Sequence, residues 1–309
     1  MATRRRFLAG LARTSAGACV AVAVGPRVLG AQRGAVTTNR IFRASAELVP
    51  TPVTVRDASG RLVTSLRRED FTVTEGGMPQ PVTQFAAERV PVSLALVLDI
   101  SDSMRGPRMD DARLALRTFA EDLLKPEDEA ALIVFNHASR LAAGWSTDRS
   151  ALREALETVR PTGGTAIYDA VTSALPLFAD RQHPRGAIVL VSDGADTASD
   201  TTVTDVKQRL GRSDVFLYGI AVDTPNARSS TRINPQVFHE LSAQSGGYAE
   251  VVSSTADIAP ATARIAEELD AQYVIGYTPA TPGDGRYRAI RVTVGRDGYS
   301  VRARRGVVR

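Results

Sequence analysis

Ser93-Leu94-Ala95-Leu96-Val97-Leu98-Asp99-Ile100-Ser101-Asp102-Ser103 decides how the chain is read. The apolar run is long enough for a buried strand, and it ends in a D-x-S-x-S loop. A carboxylate and two hydroxyls at alternate loop positions can turn toward one centre. Hard oxygen ligands of this kind suit a small divalent cation such as Mg²⁺, which takes near-octahedral oxygen coordination. With one anionic ligand on the loop, such an ion keeps much of its Lewis acidity. Two later pieces supply further oxygens: Thr165 in Pro161-Thr162-Gly163-Gly164-Thr165, and Asp193 in Val191-Ser192-Asp193-Gly194.

Outward from that stretch, apolar runs alternate with amphipathic ones, the pattern of a parallel sheet with crossover helices. Residues 110–124 read as a helix with Leu116, Phe119 and Leu123 on one face. A buried strand follows at 130–135 and a short edge strand at 140–145. Asp148 is placed to cap a helix running through Val159. Further helices are expected at 166–178, 203–210, 235–245 and 256–269, and strands at 187–191, 215–222 and 248–252. All three oxygen-bearing loops then fall at strand carboxyl ends or just before a helix, where open α/β sheets bind ligands. The expected fold class is α/β: a doubly wound, mostly parallel sheet over residues 90–270.

The flanks differ in character. Residues 47–89 hold short alternating runs (Val53 and Val55, then Phe71 and Val73) broken by Asp57-Ala58-Ser59-Gly60 and Gly76-Gly77. Residues 271–309 repeat the style, with Ile290, Val292 and Val294 sharing a face. Neither flank is long enough for a good core of its own. They are expected to pair into one small β-sandwich with the α/β domain inserted between its halves; two separate β extensions packed on the central sheet are the alternative.

The three loops together resemble the metal-ion-dependent adhesion site of von Willebrand factor A domains. Asp99, Ser101 and Ser103 match its first loop, Thr165 the second and Asp193 the third. The resemblance implies that the hydroxyls reach the ion directly or through water, that the aspartates help hold it, and that an Asp or Glu of a protein partner completes the coordination. Val55-Arg56-Asp57-Ala58-Ser59-Gly60, Glu69-Asp70-Phe71-Thr72-Val73 and Tyr273-Val274-Ile275-Gly276-Tyr277-Thr278-Pro279 look like the bacterial exported von Willebrand factor A-related proteins abundant in acidobacteria. One departure is Asp102, where that loop is usually small. As a possible accessory ligand it would add negative charge beside the ion; otherwise it faces solvent or caps the next turn. Asp110-Asp111 and Asp169 read as acids at helix starts, which the macrodipole favours.

At 309 residues the chain has room for about two domains. Its formal charge of +4 is local. Residues 1–31 hold five of the 38 basic residues and none of the 34 acidic ones, leaving 33 against 34, a net of −1. That balance gives no argument for a nucleic-acid partner. Thr3-Arg4-Arg5-Arg6-Phe7-Leu8 resembles the twin-arginine export consensus, and a weakly apolar stretch follows up to small residues near Gly30-Ala31. Residues 1–31 are therefore expected to be a signal peptide and 32–46 a linker, placing the mature chain in the periplasm or outside the cell. Arg13 breaks the apolar run, so it is no spanning helix. Cys19, the single cysteine, falls inside this segment, where lipid anchoring is a minor alternative.

No reacting constellation stands out. There is no G-x-S-x-G, and neither Lys125 nor Lys207 sits in a phosphate loop. His239-Glu240-Leu241-Ser242-Ala243 lacks the second histidine of a zinc-protease helix, and His137 and His183 are scattered. The reading is an exported, non-enzymatic protein-binding module that uses Mg²⁺, with Mn²⁺ or Ca²⁺ as alternatives. A metal-dependent hydrolase and a cation that merely staples the loops are its rivals.

Overall fold

A computed structural model describes residues 48–223 and 234–309. The expected signal peptide, Cys19 and the linker lie outside the described residues.

The centre is a six-stranded sheet in the order β10-β9-β8-β5-β6-β7. Its strands are β5 (Val92–Asp99), β6 (Glu129–Phe135), β7 (Ser139–Ser146), β8 (Arg185–Ser192), β9 (Val215–Val222) and β10 (Ala249–Val252). Five run parallel, and β7 closes one edge antiparallel to β6. In β5, every residue is buried, because a parallel sheet is covered on both faces. Leu94, Leu96 and Leu98 pack on one face against α1 (Pro107–Thr118), α2 (Ser150–Thr158) and α6 (Ile258–Ala271). Ala95 and Val97 pack on the other against α3 (Ile167–Ala174), α4 (Val203–Arg212) and α5 (Pro235–Ser245). This is a doubly wound arrangement, as the alternation of strands and helices predicts.

Element ends differ where local chemistry intervenes. The helix expected at 110–124 starts earlier, with Pro107 in its first turn, and gives way to a wider π-type turn over Phe119–Leu123. Leu124 is already extended, and Pro126 would bar further helix. The segment expected at 166–178 is α-helical only to Ala174 and tightens into a 3₁₀ turn over Leu175–Asp180. Pro176 has no N–H to continue the ladder. Helix α2 begins at Ser150, and Asp148 accepts hydrogen bonds from its backbone N–H at 3.0 Å and its hydroxyl at 2.8 Å.

The flanks interleave. β1 (Val49–Arg56) and β4 (Val82–Ala86) from the N-terminal side share a sheet with β11 (Tyr273–Tyr277) and β13 (Ser300–Ala303), in the order β13-β1-β11-β4. The second sheet, β14-β12-β2-β3, joins β2 (Phe71–Glu75) and β3 (Met78–Gln80) to β12 (Tyr287–Val294) and β14 (Gly306–Val308). Val53, Val55, Tyr273 and Ile275 of the first sheet and Phe71, Val73, Ile290 and Val292 of the second form one core. The flanks thus make a small β-sandwich, not two separate extensions, because each sheet needs strands from both ends to bury its apolar face.

Candidate metal centre

Asp99 is the last residue of β5, and Ser192 the last of β8. The parallel register pairs Leu98 with Val191, so the next residues, Asp99 and Ser192, stand side by side. The Ser192 hydroxyl donates to Asp99 Oδ2 at 2.5 Å, and the Ser101 backbone N–H donates to Oδ1 at 2.8 Å. Asp99 is completely buried. Burial pushes its carboxyl up to about 7; the Ser192 and Ser101 hydrogen bonds pull the other way, and nearby Asp193 adds to the rise.

From Asp99 the first loop doubles back. Ser101 and Ser103 bring their hydroxyls within 3.0 Å of each other, and Ser103 donates to Asp193 Oδ1 at 2.6 Å. Asp193 directly follows β8, so its position is set by the sheet. Backbone bonds hold the second loop to the first: Asp102 N–H to the Gly163 carbonyl at 3.0 Å, and Thr162 N–H to the Ile100 carbonyl at 2.7 Å. Asn136, at the end of β6, donates its side-chain amide to the Thr162 carbonyl at 2.7 Å, and its backbone carbonyl accepts from Ala166 at 2.7 Å. Gly163 turns with φ +84°, and a Cβ there would lie 2.7 Å from His137 Nδ1, so the tie between the loops depends on glycine.

Thr165 is buried, and its carbonyl accepts from the Thr197 and Ala198 backbone N–H groups at 2.8 and 3.1 Å. Its hydroxyl meets the others at Gly194. A Cβ built on Gly194 would stand 3.4 Å from Thr165 Oγ1 and 3.9 Å from Ser103 Oγ. A glycine here therefore keeps a cradle open between two hydroxyls contributed by distant segments.

The structure brings Asp99, Ser101, Ser103, Thr165 and Asp193 to this one end of the sheet. Asp102 turns away. Its carboxylate pairs with Arg105 at 2.6 Å on the exposed surface. Asp110 pairs with Arg113 on α1, and Asp111 accepts from Thr255. Asp169, in the first turn of α3, accepts from the backbone N–H groups of Asp200 and Thr201, both at 2.9 Å, and so anchors the loop after β8.

Two carboxylates and three hydroxyls form a hard, all-oxygen donor set, and the Gly194 cradle would admit a small ion beside them. Among the described residues no three His, Cys, Asp or Glu side chains gather as a metal cluster. Three of the five candidate ligands here are hydroxyls, so this site holds only two carboxylates. Asp99 has no ion-pair partner among the described residues, and a buried carboxylate in that position is stabilised by a nearby cation. The residues fit the divalent ion that the resemblance implies.

Reasoning from sequence missed three participants. Ser192 lay within the quoted third loop, but its bond to Asp99 depends on which strands are neighbours. Thr197 holds Thr165 from a loop read only as a connection. Arg108 reaches Asp193 Oδ2 at 3.0 Å and the Ser103 carbonyl at 2.8 Å, both through Nη1. His137 packs on Gly163, but no hydrogen bond joins its ring to Ser101, Ser103 or Thr165 among the described residues.

Residues 94–195, which carry all five candidate oxygen ligands, match the family model for the von Willebrand factor type A domain. Over this stretch the chain is similar to von Willebrand factor A domains, and its α/β part has their fold. Among curated proteins, inter-alpha-trypsin inhibitor heavy chain H2 of Sus scrofa is 27% identical over 151 residues, covering 43% of this chain and 16% of that one. The uncharacterized protein sll0103 of Synechocystis is 30% identical over 115 residues, covering 36% and 27%. The chain spans about a sixth of the heavy chain it matches. A solved von Willebrand factor type A structure from Catenulispora acidiphila superposes with a TM-score of 0.52 at 14% identity, covering 85% of this chain and 75% of its own. That coverage extends well beyond residues 94–195. Proximal thread matrix protein 1 of the mussel byssus, solved with a zinc-occupied MIDAS motif, gives a TM-score of 0.52 at 15% identity over 63% of this chain and 50% of its own. At these identities the structural matches speak for the fold.

Proposed function

We propose that the A domain is a divalent-cation-dependent protein-binding module, with Asp99, Ser101, Ser103, Thr165 and Asp193 holding the ion and Mg²⁺ its usual occupant. The observation that carries this reading is the run of contacts from Ser101 through Ser103 to Asp193, with the Ser103 and Thr165 hydroxyls flanking Gly194. Bound there, the ion supplies positive charge and Lewis acidity toward an outside oxygen. Asp99 and Ser192 fix the loop from beneath, Asp193 orients Ser103, and Thr197 holds the Thr165 backbone. Hydroxyls leave more of the ion's charge unneutralised than carboxylates would, which favours an Asp or Glu of a partner as the final ligand. The zinc-bearing MIDAS of the mussel protein supports a metal at such a motif. The basic and apolar pattern of residues 3–24 supports work outside the cytoplasm.

Acetate tests the reading as the simplest stand-in for a partner carboxylate. With Mn²⁺ as the paramagnetic ion, the full chain should enhance acetate proton relaxation, and Thr165→Ala should abolish the enhancement while keeping the folded circular dichroism spectrum. Mn²⁺ uptake without any effect on acetate would favour a cation that only staples the loops.

A further inference from the structure

Arg108 occupies the second position of α1, where the helix dipole disfavours a positive side chain. Instead of extending into solvent it folds back across the first loop. There a single nitrogen, Nη1, contacts both the Ser103 carbonyl and Asp193 Oδ2. Asp193 is fully buried as a side chain, whereas Arg108 is 37% exposed. Its neighbour Arg105 is already engaged by Asp102 at the surface, so Arg108 is the guanidinium that reaches the oxygen cluster.

We propose that Arg108 is an internal cation that competes with the metal for Asp193 and thereby sets the affinity of the site. The inference rests on the metal-binding reading above and concerns how that same site is tuned. Asp193 offers two oxygens: Oδ1 is bonded to Ser103, and Oδ2 to the guanidinium. A divalent ion beside Ser103 and Thr165 adds like charge a few ångströms from Arg108, and the repulsion drives the guanidinium off Oδ2. Arg108 therefore neutralises Asp193 when the ion is scarce and raises the concentration at which the ion takes over. The charge placed against the dipole gains its compensation from Asp193, so the helix start and the metal loop are linked through one side chain.

Calorimetric titration of the full chain with Mn²⁺ alone, for wild type, Arg108→Gln and Arg108→Lys, tests the idea. Arg108→Gln should bind Mn²⁺ about tenfold more tightly, the scale expected when one partly screened unit charge is removed beside a dication. Arg108→Lys, which keeps the charge, should stay closer to wild type. Thermal unfolding gives a second readout. In EDTA, Arg108→Gln should melt several degrees below wild type, because Asp193 loses its counter-charge; with saturating Mn²⁺ the gap should close or reverse. Affinities within twofold of each other, or a melting deficit that persists unchanged in Mn²⁺, would mean that Arg108 only braces the loop, and the proposal falls while metal binding stands. If wild type and Arg108→Gln both take up no Mn²⁺, the metal reading itself fails and this inference with it.

Discussion

Asp99 sits where electrostatics and folding pull against each other. Its carboxyl is pushed up to about 7, chiefly by complete burial and, in smaller part, by Asp193, against the Ser192 and Ser101 hydrogen bonds. A raised acid holds its proton more tightly folded than unfolded. Its contribution is thus fully present below the ordinary carboxylate value near 4 and is lost as pH rises toward 7. In EDTA at pH 8, Asp99→Asn should accordingly be more stable than wild type by about 4 kcal/mol, and at pH 4 the two should nearly coincide. Saturating Mg²⁺ at pH 8 should reverse that order, since only the carboxylate gains from the ion. Urea denaturation under the four conditions checks this. Asp99, Ser101, Ser103 and Asp193 were legible as candidates because they lie where apolar runs end and loops begin, and Thr165 because Gly163-Gly164 marks a turn before it. Ser192, Thr197 and Arg108 were not, because their partners are 93, 32 and 85 residues away along the chain. Their roles exist only once strand order and helix placement are known.

Elements whose apolar pattern is bounded by turn residues were read to the residue. The strand at 215–222 and the helix at 235–245 coincide with β9 and α5. Boundaries slipped where a proline rules the geometry, as at Pro107 and Pro176, since periodicity alone cannot say which turn a proline opens or tightens. At the end of α5, Gly246 adopts φ +97°, and a Cβ on it would lie 2.6 Å from the Arg304 backbone nitrogen and 2.8 Å from Phe216 Cε1. Both strain and clash oppose any side chain there. Gly246→Ala should therefore lower stability by about 3 kcal/mol, well beyond the ~1 kcal/mol of left-handed strain alone. The urea midpoint measures it, and a loss under 1 kcal/mol would show that β13 and α5 separate easily.

Across the whole molecule, the sandwich and the α/β part are joined by buried charge. Glu268 of α6 is fully buried as a side chain and receives Arg56 of β1, Arg302 of β13 and the Tyr218 hydroxyl of β9. Beside it, buried Arg185 of β8 donates to the Val90 and Leu269 carbonyls and to Gln272. The sandwich was foreseeable because neither flank could bury its own apolar face. This ionic joint was not, because charged residues spaced across 56–302 carry no local pattern. Glu268→Gln keeps the shape but leaves two arginines without their carboxylate. It should cost about 2–3 kcal/mol, toward the low side of a broken buried ion pair because both arginines remain about a third exposed. Wild type should unfold in one transition, seen alike by Trp145 fluorescence and far-ultraviolet circular dichroism; two separated transitions would mean that the joint does not couple the two parts.

The most direct measurement is anomalous diffraction from crystals of the full chain grown with Mn²⁺. The account predicts one strong peak within about 2.0–2.6 Å of hydroxyl oxygens of Ser101, Ser103 or Thr165, with Asp99 and Asp193 facing it directly or through water. A map with manganese bound elsewhere, or with none between these three loops, would contradict it.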